Sequence, residues 1–325
     1  MRVLVVHSDV GADARPDDLD TLTSAEAVAA ALRALGHHAV LAPFAASPDE
    51  VRKMLEAFRA DVVFNMVESV FGQDSLAALA PAIFEGLSVP YTGNASAPMA
   101  VTGDKPLAKR MLRAAGLPTP DWCEPPGWDG LDDARTYIVK SATEDASLGL
   151  DDGAIVRGRA AVTARAERSA DRHRGRWFAE AYVEGREFNV ALLEGPEGLQ
   201  VLPVPEMCFE DWPHAKPRIV GYDAKWAEGS DAAVKTVRTF GLERASPALA
   251  RALSDLALET ARLFGLRGYA RVDFRTDEDG RPFILEVNVN PCLDRQAGFA
   301  AAAAEAGLSY EAMIGSILAS AQSRV

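Results

Sequence analysis

Arg271, Asp273, Glu286 and Asn288 are the residues of this chain whose types and spacing could do chemistry together. They fall in two short apolar stretches, 268–274 and 283–291, separated by a turn with Asp279-Gly280 at its tip. Asp-Gly is the strongest two-residue hairpin signal, because both central residues of a type I′ turn need φ > 0. A turn on that pair sets Asp273 opposite Glu286, Arg271 opposite Asn288, Val272 opposite Val287 and Phe274 opposite Leu285. Side chains alternate between the faces of a strand. Val272, Phe274, Leu285 and Val287 are then expected to cover a core, with the four polar residues sharing the other face. Two facing carboxylates repel unless a cation lies between them, and Mg²⁺ prefers oxygen ligands. The bland reading of the same face is a solvated surface with an Arg–Asp pair and no ligand.

Cations that could meet phosphate lie upstream. Asp104 can cap a helix running to about residue 115, which puts Lys105 in its first turn. The helix dipole disfavours a cation there unless an anion is near, so Lys105 is a candidate phosphate contact. A strand over 136–141 carries Lys140 and leads into the small-residue loop 143–153, whose backbone amides could wrap phosphate. The sequence is not a Walker motif. Glu68 lies in a loop after the third strand of the first region, where a parallel sheet places ligands.

These residues need a framework. Residues 1 to about 95 alternate strands (2–7, 38–41, 61–67 and a short one at 89–93) with helices (21–35, 47–59, 74–86). That order predicts a small parallel sheet covered by helices on both faces. Further on come strands at 177–183 and 187–193, a long irregular segment at about 205–234, an amphipathic helix over 247–263 and a closing helix over 308–321 capped by Ser309. The expected class is α/β and α+β. A 325-residue chain has room for two or three cores.

A net charge of −13 argues against a sequence-independent grip on nucleic acid or an anionic membrane. Cys123, Cys208 and Cys292 are scattered and odd in number, with no disulfide framework and no zinc spacing, which suits a reducing cytoplasm. No apolar run approaches the length of a membrane span.

In order, Lys105, Lys140 with its loop, 178–187 (Phe-Ala-Glu-Ala-Tyr-Val-Glu-Gly-Arg-Glu), Lys225, and the hairpin with Asp273, Glu286 and Asn288 resemble the ATP-grasp ligases. Within them the chain is most similar to the D-alanine–D-alanine ligase family, over nearly its whole length. The resemblance implies a small parallel-sheet amino-terminal domain (1–96) followed by a two-part ATP-grasp module (97–183 and 184–325), with a lid at about 205–234. It implies that Lys105, Lys140 and Ser147 contact phosphates, Glu180, Tyr182 and Val183 meet the adenine edge, and Glu187 holds the ribose. Lys225 would reach the γ-phosphate, and Asp273, Glu286 and Asn288 would bind two Mg²⁺. Arg271 would steady the reacting carboxyl group. The activity implied is an ADP-forming ligation of a small-molecule carboxylate and an amine through an acyl-phosphate, in a homodimer.

Departures from the family pattern concentrate on the amino-acid-binding residues. The Gly-Gly stretch after the first strand is Ser8-Asp9-Val10-Gly11, and the acid that holds the first amino group aligns loosely with Asp17. A histidine corresponds to Val67, the first of two serines to Ala146, and the tyrosine after the lid lysine to Trp226. The stretch that grips the second alanine's carboxylate becomes 291–298, where Arg295 is the residue expected to hold a carboxylate. Substrate candidates are therefore Asp17, Glu68, Trp226, Arg271 and Arg295. The pattern implies a ligase making a dipeptide-like product from substrates other than two D-alanines. D-alanine–D-alanine ligase proper and a non-catalytic nucleotide binder are the alternatives.

Overall fold

A computed structural model of the chain describes residues 1–11, 16–214, 216–227 and 229–322. Val3 to Val6 are apolar without alternation, as a strand buried on both faces must be. The strand they form, β1 (Arg2–His7), is the centre of a parallel sheet between β2 (His38–Pro43) and β3 (Val62–Met66). Val3 and Val5 face α1 (Pro16–Ala34), while Leu4 and Val6 face α2 (Pro48–Phe58) and α3 (Leu79–Gly86). The helix expected from residue 74 begins as a 3₁₀ turn at Asp74–Leu76 and becomes α-helical only at Leu79. The strand expected at 89–93 reduces to a single bridge, Val63 to Tyr91.

Two helices, α4 (Ser96–Thr102) and α5 (Lys105–Ala114), lead into a four-stranded antiparallel sheet. Asp104 caps α5 as its sequence predicts, its carboxylate accepting from the Leu107 amide at 3.0 Å. The sheet contains β4 (Trp122–Cys123), β5 (Thr136–Ser141), β6 (Ile155–Arg157) and, after helix α6 (Gly158–His173), β7 (Trp177–Ala181). Val162 and Ala166 of α6 pack on Tyr137, Val139 and Trp177, which leaves the basic side chains of that helix outside the core.

The largest sheet has six strands in the order β11-β10-β8-β12-β13, with β9 beside β8. Its members are β8 (Glu187–Gly195), β9 (Gly198–Val201), β10 (Glu206–Phe209), β11 (Thr236–Thr239), β12 (Tyr269–Thr276) and β13 (Pro282–Val289). Between β10 and β11 the segment read as irregular contains two short helices, α7 (Tyr222–Trp226) and α8 (Asp231–Lys235). After β11 come α9 (Leu242–Ala245) and α10 (Pro247–Phe264), and α10 covers one sheet face through Leu253, Ala257 and Ala261. The last helices, α11 (Gly298–Glu305) and α12 (Tyr310–Gln322), pack on β8, and α12 packs also on α1, so the two ends of the chain share one core.

The β12–β13 hairpin corrects the sequence expectation in its turn and then restores it where it matters. Its loop has three residues, 278–280, closed by the Asp277 amide on the Arg281 carbonyl at 3.1 Å. Only Gly280 has φ > 0 (+78°), so Asp279-Gly280 is not a type I′ pair. The Asp277 carboxylate organises the loop by accepting from the amides of Asp279 and Arg281. Near the turn, Phe274 therefore pairs with Ile284 rather than with Leu285. A bulge then shifts the register by one, and Asp273–Glu286, Val272–Val287 and Arg271–Asn288 pair as the sequence predicts. Ile284 takes the core position, fully buried, and the extra residue Leu285 turns to the opposite side.

Candidate active site

The polar face of the large sheet forms the floor of a cleft of about 670 Å³. Strand pairing builds it in three rows, because Asn189 of β8 lies beside Asp273, Ala191 beside Arg271, and Glu187 beside Arg275. Arg271 Nε and Nη2 donate to the two carboxylate oxygens of Asp273 at 2.7 and 2.8 Å. Asp273 also accepts from the side-chain amides of Asn189 (2.8 Å) and Asn288 (3.0 Å). Among the described residues Glu286 has one distant donor, Asn288 Nδ2 at 3.5 Å. Burial would raise the pKa of Glu286, but Lys105, Lys140, Lys225 and Arg271 outweigh it and hold it down at about 2. Burial opposes the Arg271 charge too, and Asp273 and Glu286 outweigh it in turn, so the guanidinium is held charged.

Among the described residues no three His, Cys, Asp or Glu side chains gather as a metal site. The set on this face is two carboxylates and one amide. All three offer oxygen, the donor that Mg²⁺ takes, and a set of this size leaves positions for phosphate and water. The residues fit that ion.

Lysines cover the floor from α5 and from β5 of the four-stranded sheet. Lys105 is buried and donates to the Glu144 carbonyl (2.9 Å) and the Asp145 carboxylate (2.7 Å). Burial pushes its pKa down, Asp145 and Glu286 push it up, and the net direction is up. Lys140 Nζ donates to Glu180 at 2.7 Å. Glu180, 1% exposed, also pairs with Lys109, equally buried, which in turn donates to Thr119. These two ammonium groups overcome the burial of Glu180 and hold its pKa below the usual carboxylate range. Lys109 has no counterpart in the sequence reading. Its spacing of four from Lys105 on one helix was the available signal.

Apolar side chains close one end of the cleft: Ile138, Leu150, Ile219, Val220 and the bulged Leu285. Tyr182, Val183 and Glu187 border it and are tied together by Arg275. That guanidinium donates to Glu187 (3.2 Å) and to the Val183 carbonyl (2.8 Å), and lies 5.0 Å from the Tyr182 ring centroid. Burial nevertheless leaves the pKa of Glu187 raised. Arg275 follows Asp273 by two residues on the same strand face, a spacing the sequence reading left unused.

The segment between β10 and β11 lies over the cleft and is bonded to the loop 142–153. Ser147 Oγ donates to the Val220 carbonyl, Trp226 Nε1 to the Ala146 carbonyl and the Tyr222 amide to the Leu150 carbonyl, each at 3.0 Å. Ala146 and Ser147 both have φ > 0, at 54° and 61°. Gly149 has no Cβ because one would meet the Trp177 ring at 2.6 Å. Lys225, on α7, lines the cleft beside Trp226.

Acids of the elements around the amino-terminal sheet form the opposite wall. Glu68 accepts from Thr21 Oγ1 at 3.2 Å, and burial, with Asp74 and Asp20 nearby, lifts its pKa to about 8. Asp74 is raised to about 7 by burial and by Asp145. Asp20 accepts from the Cys292 thiol at 3.2 Å, and burial raises its pKa as well. Asp17, the acid named from sequence, has a side chain outside the described residues. Asp20, three residues on, does line the cleft. Arg295 is a correction: it does not reach the cleft, because it pairs with Glu311 at 2.9 Å and stacks 4.1 Å from the Tyr310 ring. Arg238 of β11 reaches it instead.

Comparison with known proteins agrees with this architecture. The family model described as D-ala D-ala ligase C-terminus matches residues 135–319. A D-alanine–D-alanine ligase of Anaeromyxobacter dehalogenans is 32% identical over 92% of this chain and 91% of its own. One of Aquifex aeolicus is 29% identical over 92% and 94%. An uncharacterized protein of Sinorhizobium fredii is 34% identical over 90% and 86%. The crystal structure of D-alanine–D-alanine ligase from Bacillus anthracis complexed with ATP superposes with a TM-score of 0.76 at 18% identity, covering 99% of this chain and 98% of that one. That last likeness speaks to the fold.

Proposed function

This chain belongs to the D-alanine–D-alanine ligase family, and from that premise we propose that it joins a carboxylate to an amine through an acyl-phosphate, with substrates other than two D-alanines. The observation that carries the chemistry is the face shared by Arg271, Asp273, Glu286 and Asn288 under a roof of lysines. The observation that carries the altered substrate is the lining of the cleft, which includes Trp226 bonded to Ala146 and, separately, Cys292 bonded to Asp20.

In this reading ATP lies with its base among Ile138, Ile219 and Leu285 and its ribose near Glu187. Lys105, Lys140, Lys225 and the amides of the loop 142–153 take its phosphates. Asp273, Glu286 and Asn288 would hold Mg²⁺, which when bound neutralises charge on the transferring phosphoryl group. Arg271 orients the substrate carboxylate, whose oxygen attacks the γ-phosphorus while ADP departs. The amine then attacks the acyl carbon, the acyl C–O bond breaks and phosphate leaves. A free carboxylate has no adequate leaving group for amide formation, and phosphorylation supplies one. The lid bonded to loop 142–153 keeps water from the acyl-phosphate. The cationic surround that stabilises Glu286 also stabilises charge developing on the phosphoryl oxygens. The chain would divide into 1–96, 97–183 and 184–325 around this cleft.

ADP release with Mg²⁺-ATP and a panel of D- and L-amino acids, amines and short peptides tests the reading. Turnover with a pair other than two D-alanines is expected. Brisk formation of D-alanyl-D-alanine from D-alanine alone would assign the chain to the activity that its relatives are named for. Silence across the panel with ATP still bound would favour a non-catalytic binder.

A further inference from the structure

One guanidinium binds three separate groups at the apolar end of the cleft. Arg275 of β12 is buried, 3% exposed. Its Nε donates to Glu187 at the start of β8 at 3.2 Å, and its Nη1 to the Val183 carbonyl just after β7 at 2.8 Å. Its Nη2 donates to the Arg218 carbonyl in the segment between β10 and β11. A buried guanidinium is costly, and its planar fork of donors offsets that cost where acceptors stand at fixed places around it. The ends of two strands and the segment between β10 and β11 are thereby held in one arrangement.

Each contact restricts what the cleft can offer a nucleotide. At Glu187 the bond goes to Oε2, which leaves Oε1 for a sugar hydroxyl. Burial works against the charge of this carboxylate, and the Arg275 guanidinium is the largest influence preserving it. At Val183 the carbonyl is turned to Arg275, while among the described residues no acceptor meets the Val183 amide. This residue therefore presents a base with a donor and withholds its acceptor. Adenine carries an acceptor at N1, whereas a 6-oxopurine carries N1–H, a donor. The Arg218 carbonyl also accepts from the Tyr182 hydroxyl at 3.3 Å, and the next residue, Ile219, packs on Ile138 as an apolar wall of the cleft.

We propose that Arg275 is a positioning residue through which the cleft selects its nucleotide, favouring a ribonucleotide over its dideoxy analogue and adenine over a 6-oxopurine. It touches neither base nor sugar. It leaves one oxygen of Glu187 to the sugar hydroxyls, keeps the Val183 carbonyl from the base, and brings Ile219 over the ring. Without it the freed carbonyl would accept the N1–H of a 6-oxopurine. The inference rests on reading the cleft as an ATP site and deepens that reading.

Titration calorimetry with the Mg²⁺ complexes of ATP, ITP and 2′,3′-dideoxy-ATP, and with tripolyphosphate, tests the proposal without turnover. The native protein is expected to bind ATP about tenfold more tightly than either analogue. Arg275→Met should weaken ATP about tenfold and bring the nucleotides within about threefold of one another. It should leave tripolyphosphate, which meets only the phosphate-binding lysines, unchanged. Arg275→Lys keeps a charge beside Glu187 but has one nitrogen to offer. It should keep the preference for ribose and lose the preference for adenine, and it decides the matter where the Met variant does not fold. Equal weakening of all four ligands would assign Arg275 to the fold alone and overturn the proposal. Native-like preferences in both variants would overturn it too, as would a native protein that binds ITP and dideoxy-ATP as tightly as ATP; in each of these cases the ATP site itself stands. A native protein that binds tripolyphosphate but no nucleotide would sink the reading of the cleft and the inference with it.

Discussion

The indole Nε1 of Trp226 donates to the backbone carbonyl of Ala146 at 3.0 Å, tying the segment between β10 and β11 to the loop beneath it. These are two of the positions that the resemblance in sequence marks as departures, a serine implied at one and a tyrosine at the other, and they touch each other. Backbone carbonyl and indole thus supply a latch that needs neither hydroxyl. Trp226→Phe keeps a ring of similar burial and removes the donor. We expect amide formation to fall about tenfold, consistent with a net loss near 1–1.5 kcal/mol. With this segment in its proposed role as a lid that excludes water, ADP should then form in excess of amide. Product analysis that found ADP and amide still in equal amounts would show that this bond does not govern closure.

Arg271 contacts the floor carboxylate Asp273 through two hydrogen bonds and lies in the row next to it. Arg271→Ala should lower turnover by about a hundredfold to a thousandfold, as loss of one charge-stabilising donor does. ATP affinity, measured by titration calorimetry, should change by no more than a few-fold. Equal loss of both would assign Arg271 to nucleotide binding or folding.

Glu180 holds two ammonium groups, and Lys109 has no route to water. Glu180→Gln takes from the buried Lys109 and the half-buried Lys140 the carboxylate that both of them touch. A loss of about 3–5 kcal/mol is expected in urea unfolding, the usual cost of removing one partner of a buried pair. Lys109→Met in the same background should recover stability, because it removes the less accessible of the two stranded charges. No recovery would mean that Lys109 is anchored by Thr119 rather than by Glu180.

Glu68 has its pKa raised from an ordinary 4.5 to about 8 by burial and neighbouring acids. Between those values the folded protein binds more protons than the unfolded chain, so stability falls as pH rises. Its contribution is complete below about pH 4.5 and is lost as pH passes about 8. Urea midpoints measured from pH 5 to pH 8 should decline, and Glu68→Gln should flatten the slope. A midpoint that rises over that interval in the native protein would contradict the placement of Glu68 against Asp74 and Asp20.

Much of the floor was legible because strand alternation is a local property. Arg271, Asp273, Glu286 and Asn288 needed only a period of two and the correct register. The register survived for a reason sequence does not display: a three-residue loop shifted it by one, and a bulge at Leu285 shifted it back. Leu285 was therefore expected in the core and lies in the cleft. The helix cap at Asp104 and the strand at Thr136–Ser141 were equally local and equally legible. Arg295 and Arg238 show the limit. Both are arginines in short polar stretches. Which one reaches the cleft depends on β10 pairing with β11, and on Glu311 and Tyr310 of a later helix claiming Arg295. The Glu180–Lys109 pair is hidden for the same reason, since it joins a strand to a helix about seventy residues earlier.

Oxygen-18 placed in the substrate carboxylate tests the central claim most directly. An acyl-phosphate route delivers one labelled oxygen to inorganic phosphate for each amide formed, with ADP as the nucleotide product. Label recovered in AMP, or phosphate free of label while amide accumulates, would contradict the account.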